Sequence, residues 1–327
     1  MFARARWLSS FVRGLICVLL LLTQMSSAPV LVPAPAPMAA TAATASLPIF
    51  RPVTLVDATG TKITITREPQ RIITLAPSLT EMVYALGLGE RVVGVSAWSD
   101  YPPEAAEKPV VGDAFALNRE KILALKPDLI LADQNLQPQA ADDLRRLGLP
   151  VFVIAPKTLQ EVLDAISTLG QLTGARQAAE HLVHTLQSRI EAVRSRTASL
   201  RVDQRPRVFV EIWNDPLMTA GPGSFIDELI TLAGGVNVAA GMGQAWPQVN
   251  PEWVLARNPQ VIILTLRNKS EVLARPGWNL LEAVRTGRVF EVVPDPLVRT
   301  GPRLVDGLEQ LARLLHPELF GNDGRSR

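Results

Sequence analysis

Residues 118–130 read NREKILALKPDLI and residues 250–262 read NPEWVLARNPQVI, two blocks separated by a constant offset of 132 positions. Self-similarity at a fixed offset sets architecture before any motif is considered. Both blocks follow one grammar. Asn118 and Asn250 are good helix N-caps, and Pro251 takes the first helical position, where its missing N–H costs nothing. A short apolar helix follows and is stopped by Pro127 or Pro259. The runs at 129–132 and 261–265 are continuously apolar, as parallel strands are when both faces are buried.

A second pair of segments opens each half. The strand-like run 71–76 leads into Pro77, Ser78, Leu79, Thr80 and Glu81, and the run 207–213 leads through a turn to Ser224, Phe225, Ile226 and Asp227. Ser followed three residues later by an acid predicts a capped helix start in both places. The helices then end at Gly87 or Gly89 in the first half and at Gly234 or Gly235 in the second. Each half therefore reads strand, helix, strand, helix, strand. The expected fold is α/β: two Rossmann-like lobes with mostly parallel sheets covered by helices, and a ligand cleft between them.

Between the halves a helical stretch runs from about Thr158 to Leu200, opened by a Thr158/Glu161 capping signature and broken once at Gly174. Its second piece carries Leu182, Leu186, Ile190 and Val193 at helical spacing. About 25 continuous helical residues would span roughly 37 Å, a rigid strut that permits small tilts and opposes large hinge closure. The expected organisation is a signal peptide or N-terminal anchor (1–28), a Pro/Ala-rich linker (29–50), an N-terminal lobe (51–156), a helical connector (157–203) and a C-terminal lobe (204–320).

The 327-residue chain, 47% hydrophobic and 20% charged, is long enough for two modest cores. Arg4, Arg6 and Arg13, then an apolar run, then Ser26, Ser27 and Ala28 give the order of a secretory signal, so the protein is expected to be exported. An uncleaved anchor is the alternative, because Pro29 follows the nearest cleavage point. Without this segment the charge count is 30 basic against 31 acidic, which excludes a nucleic-acid footprint. The single cysteine, Cys17, lies in the leader and excludes disulfides and cysteine-based metal or redox sites within one mature chain. Bulky Leu15 and Ile16 ahead of it disfavour a lipid anchor there.

Catalytic constellations are missing from the sequence. There are three histidines, and no Gly-x-Ser-x-Gly, Walker A or His-Glu-x-x-His pattern. His181 and His184 share a helix face at i, i+3 but offer two ligands where zinc wants three or four, and His316 has no partner in view. Gly221-Pro222-Gly223-Ser224 lacks the lysine of a phosphate loop and reads as a tight turn. Aromatic residues, only 5% of the chain, recur in loops after strands: Trp98, Tyr101, Phe115, Trp213 and Trp246. Phe115 and Trp246 stand just ahead of the two repeat blocks and are expected to face each other across the cleft. Asp295 and Arg299 add polar groups between the last strand and the last helix.

With these residues assembled, the chain resembles, over about residues 52–318, the periplasmic binding proteins of ABC importers for vitamin B12, siderophores and haem, whose lobes are joined by a rigid helix. The resemblance rests on RIITLAPSLTEMVYALGLGERVVGVS, SDYPPEA, LNREKILALKPDLILA, DPLMTAGPGSFIDELITLAGGVNVA, AWPQVNPEWVLARNPQVIILT and PDPLVRTGPR, and is greatest to the cobalamin-binding branch through Trp246-Pro247-Gln248. It implies ligand contacts at Pro77, Trp98, Trp246, Asp295 and Arg299, no cofactor and no catalysis. It also implies a monomeric carrier that docks on an ABC permease dimer through Glu120 and Glu252, the acids two residues after each capping Asn. The ligand expected is a cobalamin-type corrinoid, with ferric siderophore or haem as the nearest alternative and a cofactor-containing enzyme on a double α/β fold as the distant one. Two departures from the cobalamin pattern stand out: Ala114 and Phe115 occupy the place of a tryptophan, and Met218 that of an aromatic residue.

Overall fold

The computed structural model describes residues 50–321, except Ala114, 135–138, Arg267 and 293–294. The expected leader, and the linker up to residue 49, lie outside the described residues.

In the first half, β1 (Val53–Val56) and β2 (Lys62–Ile65) form an antiparallel hairpin. A four-stranded parallel sheet follows, built from β3 (Ile72–Thr74), β4 (Val92–Val95), β5 (Leu129–Asp133) and β6 (Val151–Ile154) in the order β4-β3-β5-β6. Helices α1 (Pro77–Ala85), α2 (Arg119–Ala124) and α3 (Ala140–Arg146) connect the strands. Every residue of β3, β5 and β6 is buried, which explains why these segments are apolar without alternation. The period-2 pleat still sorts the side chains between faces. Ile72, Leu129 and Leu131 share one core with Leu79, Met82 and Val83 of α1, whereas Ile73, Ile130 and Ala132 share another with Ile122 of α2 and Leu144 of α3.

The second half repeats this logic. Its sheet contains β7 (Arg207–Trp213), β8 (Met218–Thr219), β9 (Val236–Asn237), β10 (Val261–Leu264) and β11 (Val289–Glu291), ordered β11-β10-β7-β8 with β9 also on β7. All pairs are parallel except β7 with β8. The helices are α6 (Phe225–Leu232), α7 (Pro251–Arg257), α8 (Lys269–Ala274), α9 (Glu282–Arg285), α10 (Asp295–Val298) and α11 (Leu304–Leu315). Val208, Val210 and Ile263 pack with α6 and α11, and Phe209, Ile262 and Leu264 pack with Val254 of α7, Val272 of α8 and Trp278.

Between the halves stand α4 (Leu159–Thr173) and α5 (Arg176–Thr197). Thr158 accepts from the Glu161 N–H as expected, while the Glu161 carboxylate accepts from the Lys157 N–H. Gly174, at φ +77°, closes α4 in the left-handed conformation. The 22 residues of α5 span about 33 Å. Gly170 has no side chain to block α5, because a Cβ there would overlap that of Ala179. α4 packs on α1 and β1, and α5 on α6 and α11, so one apolar cluster runs from one lobe through Leu169, Leu172, Ala179, Leu186 and Val193 into the other.

The repeat extends to the backbone. Asn118 and Asn250 accept from the N–H three residues on, and Lys126 and Asn258, 132 positions apart, share φ values of +45° and +42°. Gly87 and Gly234 are the left-handed residues that close α1 and α6. Ser224 caps α6 by accepting from the Asp227 N–H. The matching expectation at Ser78 is wrong. Pro77 fixes the helical φ one residue earlier, Ala76 is the N-cap without a side-chain bond, and Ser78 and Glu81 lie buried inside α1.

Candidate functional site

The carboxyl ends of β3, β5 and β6 deliver Pro77 with Ser78, Asp133, and Pro156 with Lys157 to one side of a cavity of about 500 Å³. The second half supplies Gly223, Ser224, Phe225, Ala245, Trp246, Val298, Arg299 and Thr300. Ligand sites of open α/β sheets lie outside the carboxyl ends of the strands, and this volume falls in the range of small-molecule sites. Two helices open onto the cavity by their N-termini, α1 at Pro77–Ser78 and α6 at Ser224–Phe225. First-turn N–H groups lack helical partners and the helix dipole is positive there, so hydrogen-bond acceptors are favoured between the two ends.

Trp246 is held in place by its backbone. Gly221 donates to the Ala245 carbonyl at 2.8 Å and Thr219 to that of Pro247 at 3.1 Å, which lays 245–248 along β8. A Cβ at Gly221 would overlap the Gln244 carbonyl oxygen, so the close approach needs glycine. The indole meets Phe225 edge-on at 5.4 Å between centroids and keeps 41% of its surface exposed.

Arg299 reaches across to the other lobe. Its Nη1 donates to Asp100 Oδ1 at 2.8 Å and to Glu81 Oε1 at 3.3 Å, and its Nη2 to the Trp98 carbonyl at 3.3 Å. Arg303 grips the same Glu81 carboxylate twice, at 3.0 and 2.6 Å, and lies 3.8 Å over the Tyr101 ring. Partial burial pushes the Asp100 carboxyl up, but the hydrogen bond and charge of Arg299 outweigh it and hold Asp100 below the usual carboxylate range. Among the described residues, the two guanidinium groups thus face the carboxylates of Glu81 and Asp100.

Of the residues singled out in the sequence, Pro77, Trp246 and Arg299 line the cavity. Trp98 stands beside it through its carbonyl, with the residue 64% exposed. Asp295 opens α10, whose last residue precedes Arg299. Phe115 is not brought to the cavity. It is 95% exposed in a turn made by the Asp113 carboxylate, which accepts from the N–H groups of Phe115 and Ala116, and the first half lines the cavity with Pro77, Ser78, Asp133, Pro156 and Lys157 instead. Trp213 donates to the Asp215 carbonyl and belongs to its own hairpin. Glu120 and Glu252 are both exposed in the first turns of α2 and α7. His181 and His184 are exposed on α5, whereas His316 is buried, with Nε2 3.0 Å from the Gly234 carbonyl and Nδ1 3.0 Å from Glu318.

Glu81, Arg303, Asp133, Lys157 and Phe225 were not anticipated. The signal for Glu81 and Arg303 is a three-dimensional pairing 222 residues apart, invisible to local pattern. Phe225 could have been found as the first helical residue after the Gly-Pro-Gly-Ser turn.

The family model described as periplasmic binding protein matches residues 72–296. The chain is 36% identical over 275 residues to an ABC transporter substrate-binding lipoprotein of Bacillus subtilis, covering 82% of this chain and 87% of that one. It is 36% identical over 248 residues to the vitamin B12-binding protein of Vibrio cholerae, covering 75% and 89%. The crystal structure of the periplasmic vitamin B12 binding protein of V. cholerae superposes with a TM-score of 0.67 over 76% of this chain and 96% of that one. That of a periplasmic haem-binding protein from Roseiflexus, 29% identical, does so at 0.69 over 76% and 99%. The chain therefore belongs to the periplasmic binding protein family, as an ABC-type substrate-binding protein of the vitamin B12, haem and siderophore class and not an enzyme.

Proposed function

We propose that this protein captures a cobalamin-type corrinoid in the cleft between its lobes and delivers it, unchanged, to an ABC permease dimer. The lobes are 51–156 and 204–320 around the connector 157–203, the carrier is a monomer, and residues 1–28 direct it out of the cytoplasm and can leave it tethered there. The observation that carries the ligand assignment is the character of the lining. Among the described residues, no His, Tyr, Cys or Met lines the cavity, and these are the side chains that ligate haem iron. Of the two cations among the described lining residues, Arg299 already faces two carboxylates, which leaves Lys157 alone to meet the propionates of haem or the charge of an anionic ferric siderophore. A corrinoid brings its own axial ligands and a rim of carboxamides. Two helix N-termini and the Trp246 face suit such a ligand. The relatives named for vitamin B12 support the same reading.

Calorimetric titration with cyanocobalamin tests it. One ligand per chain, recovered intact, is the expected result. Heat with haemin or a ferric siderophore and none with cyanocobalamin would overturn it.

A further inference from the structure

The segment from Arg299 to Arg303 belongs to the second lobe, yet its two arginines reach partners in the first: Glu81 in α1, Asp100, the Trp98 carbonyl and the Tyr101 ring. Glu81 is 3% exposed, and three of these guanidinium contacts converge on its two oxygens. Gly301, midway, lets the segment lie on α1, since a Cβ there would stand 3.2 Å from Glu81 Oε2 and 3.5 Å from Ser78 Cα. Glu81 does not line the ligand cavity; Arg299 does. Behind the bridge is a second cavity of about 330 Å³, walled by Glu81 and Arg303 together with Tyr84, Tyr101, Leu186 and Asp306. The bridge is therefore a thin partition with open space on both sides.

We propose that Glu81 is a positioning residue for ligand binding: through Arg299 and Arg303 it clasps the second lobe to the first, fixing the width of the cleft and the place of the Arg299 guanidinium from behind. The carboxylate does this because a buried anion can bind both arginines only in one relative position of the lobes. Its two oxygens are spoken for, and displacement of either lobe strips charge-assisted hydrogen bonds from a carboxylate cut off from water. The strut α5 fixes the separation of the lobes along its length, and the clasp fixes their tilt about it. The ligand part of this proposal rests on the corrinoid reading above; the clasp itself does not.

The test uses the full chain with Cys17→Ser, carrying spin labels at Ala124→Cys and Ala256→Cys, exposed and equivalent positions of the two repeat blocks. Four proteins are compared: the parent, Glu81→Gln, Arg303→Gln and the double variant, whose loss of one charge of each sign leaves no unpaired ion and protects the fold. Pulsed dipolar spectroscopy without ligand should give a narrow interlobe distance distribution in the parent and a broadened one in every variant. Cyanocobalamin should bind each variant at least about fivefold more weakly, within the usual range of coupling between sites. The double variant should be no worse than the worse single one, since both residues serve one clasp. A residue serving fold stability alone would lower the melting temperature and leave the distance distribution narrow. Unchanged distributions in the folded variants would overturn the clasp. Broadened distributions with unchanged cyanocobalamin affinity would overturn the positioning role. If the parent binds no cyanocobalamin, the corrinoid reading fails with it, and the distance distributions still decide the clasp.

Discussion

Trp246 shows how a single residue carries a binding prediction. Its position ahead of the second repeat block made it legible as a cleft residue, but its edge contact with Phe225 and its backbone pairing with the Gly221 segment depend on tertiary geometry. Truncating a packed aromatic anchor costs at least about 2 kcal/mol of binding, roughly thirtyfold in Kd. Trp246→Ala is expected to show that loss by calorimetry at an unchanged melting temperature; equal affinity would remove Trp246 from the site. Gly221→Ala should weaken the ligand as well, because its Cβ displaces the Gln244 carbonyl and with it the Trp246 segment. Ser78 marks the opposite case. Ser-x-x-Glu is a fair capping signal, yet the Pro before it claimed the helix start and released Glu81 for a long-range ion pair that no local rule reveals.

At the scale of elements, the repeat blocks were the most legible part of the chain. Asn caps, proline stops and apolar runs are local chemistry, and α2, β5, α7 and β10 follow from them. The face of α5 was legible from its spacing; its polar anchoring was not. Arg189 donates to Glu309 at 2.9 Å and to Asp306 at 2.6 Å, tying the strut to α11. The Arg189 hydrogen bond outweighs burial and holds the Glu309 carboxyl below its ordinary value of 4.5. With the folded value depressed, the unfolded chain binds the extra proton first. The tie contributes fully above the ordinary value and is lost as pH falls through the folded one. Melting temperature should therefore drop, as pH falls below the ordinary Glu309 value of 4.5, more steeply in the parent than in Glu309→Gln, which lacks this titration. Parallel slopes in the two proteins would show that the tie adds nothing.

At the scale of the whole molecule, the two-lobe plan with its long helix was legible because the repeat fixed two units and the spacing between them required a helical link. The clasp of Arg299 and Arg303 was not, since it depends on where the lobes come to rest. Glu120 and Glu252 extend the symmetry to the outer surface, exposed at equivalent first turns. An acid there offsets the helix dipole by roughly 0.3 to 1 kcal/mol without any partner. As a docking pair they should do more: changing both to Ala should leave cyanocobalamin affinity and folding unchanged while abolishing uptake in vesicles containing the permease. Docking should also weaken with salt. Normal uptake by the double variant would reduce both residues to helix-end charges. With strut and clasp in place, small-angle scattering should barely change on ligand addition, and a large fall in radius of gyration would contradict a preformed cleft.

The most direct measurement of the central claim is a competition. The protein is dialysed to equilibrium against an equimolar mixture of cyanocobalamin, haemin and a ferric siderophore, and the retained ligand is identified by its absorbance spectrum. Retention of one equivalent of cyanocobalamin, reduced by Trp246→Ala, is the expected result. Retention of haemin or the siderophore in its place would contradict it.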